Sequence, residues 1–381
     1  MLILGIETSC DETAASIIEI KKDKIEVLSN VVSSQIKLHA AWGGVVPNLA
    51  AREHLKNIFP VIRSALRKAR IKPEALDLIG VTSGPGLIPA LLIGVNAAKT
   101  LSYIWKKPLL GIHHIEGHIY ANFIGDKISV ISNDQFPTLP TGRQVSKKSQ
   151  NSKFKIQNSD IKFPILCLVV SGGHTQLILM KKHLRYEIIG ETQDDAVGEA
   201  FDKVARILGL GYPGGPAIAK MAANYKLKTT NYKLDFPRPM IDSPNFNFSF
   251  SGLKTAVLYE TKKHLGFLKD KEYIAEVCRE FQNAATEVLI AKTIRAAKKY
   301  QPSSILLAGG VSANLELRKK LGAAAKKELP KITYHIPEIK YALDNSAMIA
   351  AATFFRWKLS RKKIYPWQTV QAEANLKLSS F

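Results

Sequence analysis

This chain has little cysteine, no long apolar run and a shortage of acid. Three cysteines in 381 residues, Cys10, Cys167 and Cys278, stand far apart with no CxxC spacing. That excludes a disulfide framework or a cysteine zinc ribbon and suits reduced thiols in the cytosol. No apolar stretch reaches the ~18 residues a spanning helix needs, and MLILGIETSCDETAAS has no basic leader segment, so neither a membrane anchor nor a signal peptide is expected. Acidic residues number 32 against 54 Lys and Arg, a net charge of +22. An excess of that size implies an anionic partner, and nucleic acid ranks before membrane because no basic amphipathic anchor is present. Hydrophobic residues make up 46%, enough to exclude disorder over most of the length and to allow two cores.

What is present includes a pattern that occurs twice. Residues 2–20, LILGIETSCDETAASIIEI, read as a strand, a turn of small polar residues and a second strand resuming at Thr13. Residues 164–180, PILCLVVSGGHTQLILM, repeat the order. Alternation and β-branched content predict a hairpin in each. Helical periodicity follows at 51–70 and 90–105 in the first half, and at 196–208 and 272–300 in the second. One duplicated α/β unit explains this better than a single large sheet. Between the copies, residues 126–162 are rich in Ser, Asn, Gln, Lys and Pro. They are too many for an ordinary connection, so they predict a flexible insertion, either tether or basic arm.

Two familiar phosphate signatures fail on context. GLGYPGG at 209–215 fits GxGxxG, but EAFDKVARILGL before it reads as a helix where a dinucleotide fold needs a strand. FSFSGLKTAV at 248–257 lacks the first glycine and the Gly-Lys step of a P-loop. Four glycine turns remain: SGPG at 83–86, SGG at 171–173, YPGG at 212–215 and AGG at 308–310. Read as strand-end turns, they let backbone N–H groups approach phosphate oxygens. Spread over both copies, they favour a nucleotide held in a cleft between two lobes. Asp202, on a helix before YPGG, and Asn314, at a helix start after AGGVSA, could bind ribose or adenine or merely cap helices.

The stretch GIHHIEGHIYANF at 111–123 holds three histidines and a glutamate. Ile112, Ile115, Ile119 and Phe123 recur at helical spacing and predict an amphipathic helix over 112–123. His114 and His118 are then about 40° apart on one face and able to share an ion. Paired histidines also serve as polar caps or satisfied core groups. Glu116 is about 200° around the axis from either and points away, which removes the base a zinc peptidase needs. A third ligand must come from elsewhere. YALDNSAMIAAATFF offers Asp344 at the start of a long apolar helix, where an N-cap role is compatible with ligation.

ETSCDET, HAAWGGVVPNLAAREH, SGPGL, HHIEGH, VSGGHTQL, GEAFDKVARILGLGYPGGP, FSFSGLKTAV, GGVSAN and DNSAMIA stand in the order seen in the TsaD family, the tRNA N6-adenosine threonylcarbamoyltransferases once described as glycoproteases. The chain resembles that family from Glu7 into its last long helix. The resemblance implies an α/β actin-like ATPase fold of two duplicated ribonuclease H-like lobes, with a nucleotide and metal cleft between them. With the insertion read at 126–162 set aside, it implies a first lobe over 1–125 with the helix at 345–358 packed back on it, a second lobe over 163–343 and a tail over 359–381. It implies one divalent metal, iron before zinc, on His114, His118 and Asp344. It also implies contacts to threonylcarbamoyl-AMP from Val169, Val170, Ser171, Gly172, Gly173, Asp202, Gly215 and Asn314. The implied reaction moves threonylcarbamoyl to N6 of adenosine 37 in the anticodon loop of tRNAs reading codons that begin with A, in the cytoplasm, with a TsaB-like paralogue and a TsaE-like ATPase as partners. Asn48 stands where the family usually has Glu, Pro89 where it usually has a small residue, and the 126–162 insertion is outside its pattern. Alternatives are an O-carbamoyltransferase acting on a small hydroxylated metabolite and a non-catalytic tRNA-binding scaffold. The basic charge disfavours the first. The second would need neither the histidine pair nor Asp344.

Overall fold

The computed structural model describes residues 1–21, 24–125, 128–131, 155–158, 161–224, 232–360 and 366–379. The first half runs β1 (Leu2–Glu7), β2 (Glu12–Lys21), β3 (Lys24–Ser34), α1 (Ile36–Ala40), α2 (Pro47–Ala69), β4 (Leu78–Gly84), α3 (Ile88–Trp105), β5 (Leu109–His113) and α4 (His114–Tyr120). A strand pair follows, β6 (Ile128–Ile131) with β7 (Lys155–Asn158), joined antiparallel. The second half runs β8 (Ile165–Val170), β9 (Thr175–Lys182), β10 (Arg185–Glu191), α5 (Val197–Ile207), α6 (Gly214–Asn224), α7 (Ser251–Lys263), α8 (Lys271–Tyr300), β11 (Ser304–Ala308), α9 (Leu315–Glu328), β12 (Thr333–His335), α10 (Ile339–Ala342) and α11 (Ser346–Leu359).

The duplication is visible in the sheets. One is ordered β3-β2-β1-β4-β5 and the other β10-β9-β8-β11-β12. In each, the first three strands are antiparallel meanders and the last two join parallel to the first strand of the copy. This five-stranded mixed sheet, occurring twice, is the ribonuclease H-like unit of the actin-like fold. The predicted hairpins are β1–β2 and β8–β9.

Side-chain alternation decides what each sheet faces. On β8, Leu166, Leu168 and Val170 enter a core with α5, α7 and α8, while Ile165, Cys167 and Val169 enter a second core on the opposite face. Both faces are dry, so the strand reads ILCLVV without polar interruption. The second core also takes Ile3, Ile18, Leu78 and Ile112 from the first sheet, together with α4 and α11. Those two helices therefore lie between the sheets. A helix apolar on every side suits that position, and α11 buries ten consecutive residues from Ser346 to Phe355. Close docking of α11 also needs Gly5, because a Cβ on that β1 residue would run into the Ser346 carbonyl and Ala350. The remaining first-lobe core joins β1 and β4 to α2 and α3.

Three sequence expectations are corrected. The helix expected over 112–123 begins at His114, because Ile112 and His113 complete β5 alongside Thr82 and Gly84. All seven residues of α4 are buried, so it is enclosed rather than amphipathic. YPGG at 212–215 connects two helices, α5 and α6, and does not end a strand. As for the 126–162 insertion, β6 pairs with β7, Ile161 is buried and Lys162 N–H donates to Ser304 Oγ. The expected flexibility of its other residues falls on positions outside the described ones.

Candidate metal centre and substrate cleft

Helix α4 starts where β5 ends, and its first turn is fixed by its own cap. His113 Nδ1 accepts the Ile115 N–H at 3.2 Å. This places His114 and His118 on one side of the helix, with rings 4.6 Å apart and nearly perpendicular. Asp344 approaches from the turn before α11. Its Oδ1 lies 3.1 Å from His118 Nε2 and 3.6 Å from His114 Nε2, and one ligand atom from each of the three residues falls within 4.8 Å of the others. Asp344 is not the helix cap. That role belongs to Asn345, whose side chain accepts the Met348 N–H at 3.1 Å, so the Asp344 carboxylate is left to face the histidines.

The environment suits a divalent cation. His114 Nδ1 sits 3.3 Å from Glu7 Oε2 and 3.1 Å from Ser9 Oγ, a carboxylate–histidine support that turns Nε2 toward Asp344. Burial opposes the charged ring, but the Asp344 and Glu7 carboxylates outweigh it and push His114 up to about 9. Burial would likewise raise Asp344, yet His114 and His118 bring it down to about 2. Glu7, wholly buried, is also held below the usual carboxylate range: His114 overcomes the burial that would raise it. His118 is pushed down by burial; its Nδ1 has no hydrogen-bond partner, and its Nε2 faces the Asp344 carboxylate at 3.1 Å. A cation seated between that nitrogen and the carboxylate would take both as ligands. Two imidazoles and one carboxylate are a donor set for Zn2+ or Fe2+.

Glu116 lies away from this centre. Arg356 of α11 grips it with two bonds, Nε to Oε1 at 2.6 Å and Nη2 to Oε2 at 2.8 Å. The carboxylate is fully buried and makes no contact with the triad, so a peptidase-type base is excluded.

The expected substrate residues gather at one end of the second sheet. Val169 and Val170 end β8 inside the core, and Ser171, Gly172 and Gly173 turn the chain. A Cβ on Gly172, Gly173 or Gly215 would meet nothing within 4 Å, so these backbones face open space. The turn is held by Ser171 N–H donating to His174 O at 2.8 Å and by Gly198 N–H of α5 donating to Ser171 O at 3.3 Å. Asp202 accepts the Gly214 N–H at 2.7 Å and so fixes YPGG. Burial raises its carboxyl; the Gly214 bond lowers it and Asp11 of the first lobe raises it again. Asn314 caps α9 by accepting from Leu317 N–H at 3.0 Å, while its Nδ2 donates to Gln282 at 2.9 Å.

His174 lies electrostatically within reach of both groups. His174, next to the glycine turn, is pushed down to about 4 by burial and then by the charges of His114 and His118. Sequence reasoning missed Glu7, Ser9 and His174. Only their presence inside ETSCDET and VSGGHTQL could have marked them, because the partners are more than 100 residues away for Glu7 and Ser9.

A duplicated actin-like chain with a His–His–carboxylate centre beside glycine turns defines the class of protein. Among solved structures, HypF from T. kodakarensis aligns over 94% of this chain and 47% of its own with a TM-score of 0.50 and 12% identity, a likeness of fold alone. The family model TsaD, tRNA N6-adenosine threonylcarbamoyltransferase, matches residues 26–140 and 150–351, so between the halves only 141–149 falls outside the family pattern and not the whole of 126–162 as expected. A Thermosipho africanus protein of that name is 46% identical over 378 residues, covering 99% of this chain and 100% of the relative. One from Bacillus subtilis is 45% identical over 385 residues, covering 100% and 97%. The chain belongs to the TsaD family.

Proposed function

We propose that this chain transfers the threonylcarbamoyl group from threonylcarbamoyl-AMP to N6 of adenosine 37 in tRNAs reading codons that begin with A, forming t6A. The observation that carries this reading is the full-length match to curated relatives of that name in a chain that brings His114, His118 and Asp344 together. The N6 amine attacks the carbamoyl carbon, the bond to the phosphate oxygen breaks, AMP leaves and the amine gives up one proton. An exocyclic adenine amine is a weak nucleophile, so the acyl group must be strongly activated.

In this reading Gly172 and Gly173 offer backbone N–H groups to the AMP phosphate, supported by Val169, Val170 and Ser171. Asp202, Gly215 and Asn314 hold the nucleoside. His114, His118 and Asp344 would hold one divalent ion, ferrous iron before zinc as the family resemblance implies, two imidazoles and a carboxylate being ligands that either ion accepts. When bound, the ion supplies Lewis acidity toward a carbonyl or phosphoryl oxygen. Glu7 orients His114 and keeps negative charge next to the centre. The lobes divide at 1–125 and 163–343, with 126–162 an insertion between them, the helix at 345–358 assigned to the first lobe and 359–381 a tail.

The +22 charge supports contact with a tRNA backbone. A TsaB-like paralogue and a TsaE-like ATPase act as partners, and the protein works in the cytoplasm. Among the described residues no helix is long and apolar enough to cross a membrane. The test incubates the protein and its partners with threonylcarbamoyl-AMP and unmodified tRNA, then digests to nucleosides for mass spectrometry. A threonylcarbamoyl-adenosine peak supports the reading. Its absence with active partners refutes it.

A further inference from the structure

Beyond α11 the chain returns to the first lobe. Val370 is buried among α3 and first-sheet residues, and Trp367 meets Tyr103 edge-on at 5.7 Å. From there residues 372–378 run along the ends of β4 and β5. Glu373 N–H donates to Ser83 O at 2.8 Å, and Gly86 N–H donates to Ala374 O at 3.1 Å. The approach is so close that a Cβ on Gly84 would overlap the Glu373 carbonyl and Leu376. The last tie reaches the metal centre: His113 Nε2 stands 3.0 Å from Leu376 O. Because Nδ1 of the same ring accepts the Ile115 N–H, Nε2 carries the proton and donates to the strap. One buried ring thus joins the C-terminal segment to the first turn of α4, whose next residue is His114.

We propose that residues 366–379 form a strap that positions the His114–His118–Asp344 centre, with His113 as the positioning residue through which it acts. The proposal rests on reading that triad as a metal centre. A seated strap fixes the His113 ring, the ring fixes the first turn of α4, and that turn sets the direction of both ligand histidines. His113 bonds neither ligand ring, so its effect is set at the low end of the roughly 10–100-fold in affinity that direct outer partners of metal ligands supply.

The test removes residues 373–381, which leaves Trp367 and Val370 in place, and separately makes His113→Ala in the full chain. Amide exchange over Ile115–Tyr120 in metal-free protein and Zn2+ affinity by chelator competition are measured for each and for the combination. Both single variants should exchange faster in α4 and bind Zn2+ about tenfold more weakly. The combination should be no worse than either, because both cut one link. Unchanged α4 exchange in the truncated chain, or additive losses of Zn2+ affinity, would overturn the proposal. If the truncated chain does not fold, His113→Ala decides: unchanged α4 exchange and Zn2+ affinity overturn the proposal. If the unaltered protein takes up no Zn2+, the metal reading fails, and amide exchange alone then decides whether the strap orders α4.

Discussion

Glu116 and Arg356 form a two-pronged ion pair between α4 and α11, the carboxylate fully buried and the guanidinium partly exposed. It ties the helix that carries two candidate ligands to the helix that follows the third. Removing one member of a buried pair leaves an uncompensated charge and costs roughly 3–5 kcal/mol, whereas the intact pair adds little over apolar packing. Glu116→Gln should therefore destabilise the protein by about 3 kcal/mol in denaturant unfolding. Metal content measured below the transition should be unchanged, since the carboxylate does not reach the triad. Loss of metal from a folded Glu116→Gln protein would contradict this placement.

Glu7 predicts a different outcome. Its carboxylate supports His114 Nδ1 and helps raise that ring. Glu7→Gln should leave the fold intact and weaken metal binding by about 10–100-fold, as other outer partners of ligand histidines do. Chelator competition on the folded variant measures it, and undiminished affinity would count against the support.

A third expectation concerns acid. His183 lies among Tyr120, Phe123, Phe163 and Phe355, and burial pushes its pKa down to about 3. The unfolded chain takes up this proton near pH 6.5 and the folded one does not. The stability His183 gives is present above about pH 6.5 and falls as pH drops toward 3, at up to about 1.4 kcal/mol per unit. His183→Phe should flatten the fall in stability between those values by about one proton. An unchanged slope would show that the ring titrates freely.

Binding to tRNA should weaken steeply with salt. Each phosphate neutralised releases counterions, so log K falls linearly with log[salt] by several units per decade for a multi-contact interface. Filter binding between low and physiological salt measures this, and a flat response would remove the nucleic-acid partner.

Much of this molecule was legible in local pattern. The duplicated strand–turn–strand units and the helices near 51–70, 90–105, 196–208 and 272–300 are all short-range signals. The boundary at His114 was not legible, because Ile112 fits both a helical stripe and the last inward position of β5. Neither was the cap at Asn345: Asp and Asn are equally good caps, and only the position of His118 decides which one turns away. Contacts that bridge the chain, Glu7 to His114, Glu116 to Arg356 and His113 to Leu376, leave no periodic trace at either end.

The most direct test of the central claim measures bound metal and t6A together in one set of proteins. Unaltered chain, His114→Ala, His118→Ala and Asp344→Ala are each purified, assayed for bound iron and zinc, and supplied with partners, threonylcarbamoyl-AMP and unmodified tRNA. The unaltered chain should hold about one ion and form t6A. The three variants should remain folded, since the lobes have their own cores, yet lose the ion and most of the product. A His118→Ala protein that keeps its metal and its full yield of t6A would contradict the account.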